Sequence, residues 1–296
     1  MIRAEPAVAT DGDIARTGVA IATSAITALF VPGNRADRFG KAAASGADVV
    51  IIDLEDAVPP GSKTDALAAM ITALSPVGGQ NVALRALVRV NTADSPFFEP
   101  ELAALMRLTV LPGHGLLGLL LPKSEDVAVV RRVRGLLSAD LALIPLVESA
   151  AGVVNALELA RVAGVTRLAF GAIDFAMDID SAASDEFLAY TRSQLVVVSR
   201  AAGIMAPLDS PVMDIQDTER VAASAQLARD FGFGGKLCIH PAQLAFVRGA
   251  FRPSVVDIEW AKSLAEAGDG ASQVNGQMVD RPVLERAKRI LQYGDR

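Results

Sequence analysis

At 296 residues the chain is long enough for one barrel-sized domain and a small appendage, and 51% apolar residues with a mean hydropathy of +0.36 supply a large core. A net charge of −6 and a sequence pI near 5.1 lack the basic balance of a free-standing nucleic-acid binder. The single cysteine, Cys238, excludes an intrachain disulfide framework and points to a reducing compartment.

In chain order, residues 1–24 read as a loose leader. The small apolar stretch 17–31 follows Arg16, but Glu5, Asp11 and Asp13 stand upstream and Thr and Ser interrupt it, so it is not read as a signal peptide. No stretch of about 18 strongly apolar residues is present, so no membrane span is expected, and the default expectation is a soluble cytoplasmic protein. From 25 to 250, short apolar runs alternate with helix-like segments. The runs are 28–33, 49–56, 86–91, 116–125, 141–149, 167–175, 203–210 and 235–241, and their ends carry Asp53, Glu55, Arg89, Lys123, Glu148, Asp174, Asp209 and His240. Continuous apolar runs are the mark of parallel strands buried on both faces. The segments between them, such as 126–137, 151–163 and 218–230, are rich in Ala, Leu and Val with charges on one side, as helices packed outside a sheet require. Eight such units predict an α/β fold, a (β/α)₈ TIM barrel, whose catalytic groups lie at the C-terminal strand ends. Residues 251–296 change character. The spacing predicts a helix over 255–267, a turn-rich loop over 268–276 and a final helix over 283–292 begun by Pro282, together a short helical C-terminal lid.

Glu148 and Asp174 end consecutive runs 26 residues apart, one strand-helix-strand step, which places them side by side at the barrel mouth. Two carboxylates with room for water and substrate oxygens suit Mg²⁺, which keeps part of its hydration shell. The alternative is that each acid caps a helix or pairs with a base. With His114 and His240 the only histidines, the nitrogen and sulfur ligands of a zinc site are missing. Walker-type, dinucleotide-binding and G-x-S-x-G motifs are also missing. Lys123 and Lys236 sit near strands, but neither is clearly enclosed as a Schiff-base lysine would be.

Six segments stand in order: Leu29-Phe-Val-Pro-Gly-Asn-Arg35, Asp53-Leu-Glu-Asp-Ala-Val58, Val88-Arg-Val-Asn91, Pro145-Leu-Val-Glu-Ser149, Gly171-Ala-Ile-Asp174 and Lys236-Leu-Cys-Ile-His-Pro241. On these the chain resembles the citrate lyase β-subunit-like and malyl-CoA lyase family of CoA-ester lyases, in the aldolase/citrate lyase superfamily. The resemblance implies a Mg²⁺-dependent homo-oligomer, a trimer or hexamer, that cleaves or forms a C–C bond between a 2-oxo acid and an acyl-CoA enolate. It implies metal ligands at Glu148 and Asp174, an active-site arginine at Arg89, and an acidic turn of Asp53, Glu55 and Asp56. The segment Gly276-Gln-Met-Val-Asp-Arg-Pro282 resembles the family's lid motif, whose aspartate, Asp280 in this sequence, does acid–base chemistry, often across a subunit boundary. Asn34, Arg35 and Arg38 follow the first strand, where they either meet CoA phosphates or adenine or form a solvated loop. One departure is Ile173, where many relatives carry Glu or Ala; an apolar side chain there reshapes the oxo-acid pocket or packs under it.

The chemistry suits these positions. A permanently charged guanidinium stabilises developing negative charge with a planar set of donors, and a bound divalent cation fixes carboxylate and hydroxyl oxygens. Each assignment has a plainer counterpart. Arg89 can simply pair with Glu55, Asp280 can be only a helix cap, and His240 reads as a hydrogen-bonded structural residue; Asp209 and Lys123 stay unassigned. The competing functions are a thioesterase on the same site and a β subunit that takes its acyl group from a carrier protein. A CoA-independent aldolase is disfavoured by the lid segment.

Overall fold

The computed structural model describes residues 16–76, 84–266, 272–274 and 277–294. The apolar runs form eight strands, β1 (Thr27–Pro32), β2 (Val49–Asp53), β3 (Ala86–Arg89), β4 (Leu116–Leu121), β5 (Ala142–Val147), β6 (Arg167–Phe170), β7 (Met205–Asp209) and β8 (Gly235–Cys238). They close in sequence order into a parallel barrel, with β8 returning to β1 through Thr27↔Lys236 and Leu29↔Cys238. Side chains alternate across each strand, which explains the unbroken apolar runs. Ala28, Ile51, Leu87, Ile144, Ala169 and Leu208 fill one buried cluster. Leu29, Val50, Ile52, Val88, Leu143 and Leu168 fill a second, shared with the surrounding helices. Both layers bury apolar area, the main favourable term in folding.

The helices around the barrel are α2 (Phe39–Ala43), α3 (Lys63–Leu74), α4 (Phe98–Thr109), α5 (Val127–Leu136), α6 (Ala150–Ala160), α7 (Ala172–Asp178), α8 (Asp185–Ala202), α9 (Thr218–Phe231) and α10 (Leu244–Phe251), with α1 (Gly18–Ser24) ahead of β1. Side-chain caps begin several of them: Asp126 Oδ1 accepts from Ala128 N–H at 2.7 Å, and Ser149 Oγ from Gly152 N–H at 3.1 Å.

Two expectations need correction. Residues 18–24 are not loose leader: they form α1, which packs on β4 and β5. A Cβ at Gly18 would lie 1.8 Å from the Leu117 carbonyl oxygen. Buried Arg167, at the start of β6, donates to the carbonyls of Ala22 and Ala25 at 3.0 and 2.9 Å and so ties the α1 end to the barrel. The first fifteen residues lie outside the described ones. Asp174 also does not end a strand. β6 stops at Phe170, Ser210 Oγ accepts the Ala172 N–H at 3.1 Å, and Phe175 N–H returns to the Gly171 carbonyl at 3.0 Å, so a helix has already begun. Asp174 stands in the first turn of α7.

After the barrel, α11 (Val255–Glu266), an antiparallel pair β9 (Ser272–Val274) and β10 (Gln277–Val279), and α12 (Arg281–Gly294) make the C-terminal segment. Part of the expected 268–276 loop is thus a strand; 267–271 and 275–276 lie outside the described residues. Ala261, Leu264, Val279 and Ala287 form a small core of their own. Among the described residues, no helix is long and apolar enough to cross a membrane.

Candidate active site

Parallel register sets the first contact of the site. Asp53, the last residue of β2, stands opposite Arg89, the last residue of β3. Arg89 Nε and Nη2 donate to the two Asp53 carboxylate oxygens, each at 2.7 Å, a bidentate pair. Asp53 also accepts the backbone N–H groups of Glu55 and Ala57 at 2.9 and 3.1 Å, which folds the acidic turn back over the strand end. Arg89 Nη1 lies 2.8 Å from Glu55 Oε2. The approach is an ion pair without hydrogen-bond alignment, since that oxygen has no hydrogen-bond partner. The Phe30 ring stands 4.9 Å from the guanidinium carbon. Burial opposes the Arg89 charge, but Asp53 and then Glu55 outweigh it and raise its pKa further.

The second half of the site grows from β4 and β5. Glu148 follows β5 directly, is 3% exposed, and accepts the Lys123 N–H on Oε1 at 2.8 Å. Lys123 adopts φ 41°, the left-handed region that non-glycine residues seldom enter. Its ammonium meets Glu55 Oε1 at 2.8 Å, so one residue bonds to carboxylates on both sides of the site. Burial opposes the Lys123 charge, while Glu55 and Asp56 hold its pKa above the ordinary range. Burial likewise pushes Glu55 up, against the pull of Arg89 and Lys123. Burial, reinforced by Glu55 and Asp174, pushes Glu148 up to about 8.

These groups converge on a cavity of about 380 Å³, lined on its polar side by Asp53, Asp56, Arg89, Glu148 and Asp174. Among the described residues, none donates a hydrogen bond to Glu148 Oε2 or to the Asp174 carboxylate. A Cβ on Gly171 would fall 2.4 Å from Glu148 Oε2, so only glycine leaves that oxygen its place. Two carboxylates lining one cavity, with Glu148 Oε2 and the Asp174 carboxylate free of hydrogen-bond donors among the described residues, are what a hard divalent cation relieves. No group of three or more Asp, Glu, His or Cys among the described residues could hold a metal. A cation held here would have two protein carboxylates, a donor set that suits Mg²⁺, which keeps much of its hydration, rather than a structural metal.

The remaining candidates from the sequence lie elsewhere. Asn34, Arg35 and Arg38 are in the segment after β1 and do not line the cavity; Arg35 pairs with Asp37 at 2.9 Å. Asp280 is exposed and caps α12, its Oδ1 accepting the Val283 N–H at 3.2 Å, and it does not line this chain's cavity. His240 Nδ1 accepts the Ala242 N–H at 3.2 Å, the structural role expected of it. Buried Lys236 meets buried Asp209 at 2.8 Å, an ion pair within the barrel. Sequence reasoning missed the bridging role of Lys123, whose backbone N–H and ammonium act together; its only signal was a place at the end of the fourth run.

The family described as HpcH/HpaI aldolase/citrate lyase matches residues 26–241. A citrate lyase subunit beta-like protein of Deinococcus radiodurans is 37% identical over 279 residues, covering 90% of this chain and 95% of its own. The mitochondrial citramalyl-CoA lyase of Homo sapiens is 30% identical over 290 residues, covering 89% and 83%. The crystal structure of protein CitE from Mycobacterium tuberculosis, in complex with magnesium, acetoacetate and coenzyme A, superposes with a TM-score of 0.79 at 32% identity, covering 92% of this chain and 99% of that one.

Proposed function

The chain belongs to the HpcH/HpaI aldolase/citrate lyase family, and from that premise we propose that it is a Mg²⁺-dependent lyase of 3-hydroxyacyl-CoA esters that bear a carboxylate, yielding a 2-oxo acid and an acyl-CoA. The observation that carries this reading is that, among the described residues, Glu148, with Oε2 free of donors, and Asp174, with none on its carboxylate, line one cavity together with Arg89. Glu148 and Asp174 would hold Mg²⁺, which would supply Lewis acidity to the substrate's oxygens. In the cleavage direction the hydroxyl proton passes to solvent water, its oxygen becomes the carbonyl of the 2-oxo acid, and the C–C bond breaks. Its electron pair moves into the thioester as an enolate, and a proton at the former bond carbon completes the acyl-CoA. Arg89, held flat by Asp53 and covered by Phe30, faces the negative charge as it develops. Its bidentate anchor keeps that geometry fixed, so little reorganisation is needed during the reaction. Lys123 holds Glu148 and Glu55 in place.

Asp280 supplies the proton to the acyl carbon from a neighbouring copy in a homo-oligomer; its exposure and its absence from the lining of its own chain's cavity fit that arrangement. The protein acts on free CoA esters, and a cytoplasmic location fits its single buried cysteine.

Glu148→Gln and Asp174→Asn test the reading. Each should reduce Mg²⁺-dependent turnover by at least about a hundredfold and weaken Mn²⁺ binding, measured by electron paramagnetic resonance, while thermal unfolding stays cooperative. Full activity in either variant overturns the metal site.

A further inference from the structure

We infer that the substituent on the hydroxyl-bearing carbon of the substrate is small and uncharged, a hydrogen or a short alkyl group, so that the 2-oxo acid released is a monocarboxylate. This rests on the lyase reading of the same cavity. Four carboxylates line that cavity, Asp53, Asp56, Glu148 and Asp174, against one lining cation, Arg89. Arg89 is already committed: two of its N–H groups go to Asp53, and Nη1 lies beside Glu55. Even with a divalent cation bound, the lining groups sum to a negative charge, and the substrate's own carboxylate adds to it. A second carboxylate would have to break the Arg89–Asp53 pair or lie against the rest of the wall.

The rest of the wall is apolar. Phe30, Leu146, Leu237 and Ile239 line it from the strand ends, and Ile173 and Met213 line the side where α7 and the loop after β7 meet. Burying an unpaired carboxylate against such a surface is costly, whereas a methyl or ethyl group gains contact there. Other cations beside the cavity are engaged as well: the Lys123 ammonium meets Glu55 Oε1 at 2.8 Å and stands 4.0 Å from Asp56 Oδ1. Arg192 and Arg220 line an adjoining cavity of about 480 Å³ and not this one; the two cavities share Ile173, Ser210, Pro211 and Met213. Arg192 is engaged with Asp185 at 2.9 Å and Asp209 at 3.4 Å. Ile173 and Met213 thus stand where a cation would serve a second carboxylate.

The test is calorimetric titration of the full-length protein with pyruvate, 2-oxobutyrate and oxaloacetate in the presence of Mg²⁺, the oxaloacetate checked intact by proton magnetic resonance. Pyruvate and 2-oxobutyrate should bind roughly a hundredfold tighter than oxaloacetate. Met213→Arg, at a side chain that is 61% exposed and therefore tolerant of change, should narrow that gap by about tenfold or more, through oxaloacetate alone. Oxaloacetate binding as tightly as pyruvate overturns this inference and leaves the lyase reading standing. An equal effect of Met213→Arg on all three acids overturns the charge argument behind it. If none of the three binds with Mg²⁺, the lyase reading itself fails and takes the inference with it.

Discussion

Gly171 decides where Glu148, the proposed metal ligand, can point. It follows β6 at the place where the chain turns into α7, and the space a Cβ would need is held by Glu148 Oε2 and Cβ, at 2.4 and 2.6 Å. Gly171→Ala should therefore displace the Glu148 carboxylate, with loss of Mg²⁺ affinity of about tenfold or more and a modest loss of stability. Mg²⁺ titration beside thermal denaturation separates the two effects, and unchanged affinity would show that Glu148 does not bind there. Lys123 works on the same oxygen pair from the other side. Its left-handed backbone costs about 1 kcal/mol in a non-glycine residue, and that cost is accepted at the point where its N–H reaches Glu148 and its ammonium reaches Glu55.

At the scale of elements, α4 is tied to the β3 end by a buried acid. Glu101 accepts the Asn91 N–H at 2.8 Å, and Asn91 Nδ2 also donates to the Leu54 carbonyl at 2.9 Å, so this bond links α4 to the turn that carries Glu55. Burial, opposed by the Asn91 bonds, pushes the Glu101 carboxyl up to about 7, from an ordinary value of 4.5. A carboxyl whose folded pKa lies above its unfolded value favours the folded state fully below the unfolded pKa. That contribution is lost as pH rises through the folded one. The melting temperature of the wild type should accordingly fall more between pH 5 and pH 8 than that of Glu101→Gln, about these pKa values. Parallel slopes for the two proteins would contradict the buried-acid account.

Element boundaries were less legible in the sequence than the elements themselves. The eight apolar runs and their order were readable because parallel strands are buried on both faces, and all eight became strands in that order. The ends were not readable. The run 167–175 continues from Phe170 through Ile173 without a polar break, because α7 is also buried on one face; the Ser210 hydroxyl at the Ala172 N–H, contributed from 38 residues away, begins the helix. Helix α1 was missed for a related reason. Its seven residues are small and weakly patterned, and it exists by packing under β4 and β5 rather than by propensity.

Across the whole molecule, barrel closure does what no local pattern could announce. It brings Asp53 and Arg89 from two strand ends, Glu148 from just after β5 and Asp174 from the first turn of α7 to one cavity, and leaves Arg167, Lys236 and Asp209 as buried structural ions. The C-terminal segment has its own small core, and Asp280 lies at its surface rather than in its own chain's cavity. If that aspartate serves a neighbouring copy, inactive Arg89→Ala and Asp280→Asn proteins should partly restore activity when refolded together. An upper limit of about one quarter of wild-type turnover is expected if each restored site draws one residue from each kind of chain at random. No recovery, with mixed oligomers confirmed by native mass spectrometry, would place Asp280 outside the reaction or within its own subunit's site.

The most direct measurement is product analysis of the wild-type protein with Mg²⁺ and CoA esters whose 3-hydroxy carbon carries hydrogen, methyl or carboxymethyl, each repeated with EDTA. The expected result is EDTA-sensitive release of a 2-oxo acid and an acyl-CoA in equal amounts, fastest with the hydrogen or methyl ester. Free CoA with an intact hydroxy acid would contradict the account and make the protein a thioesterase; turnover indifferent to EDTA would remove Glu148 and Asp174 from its centre.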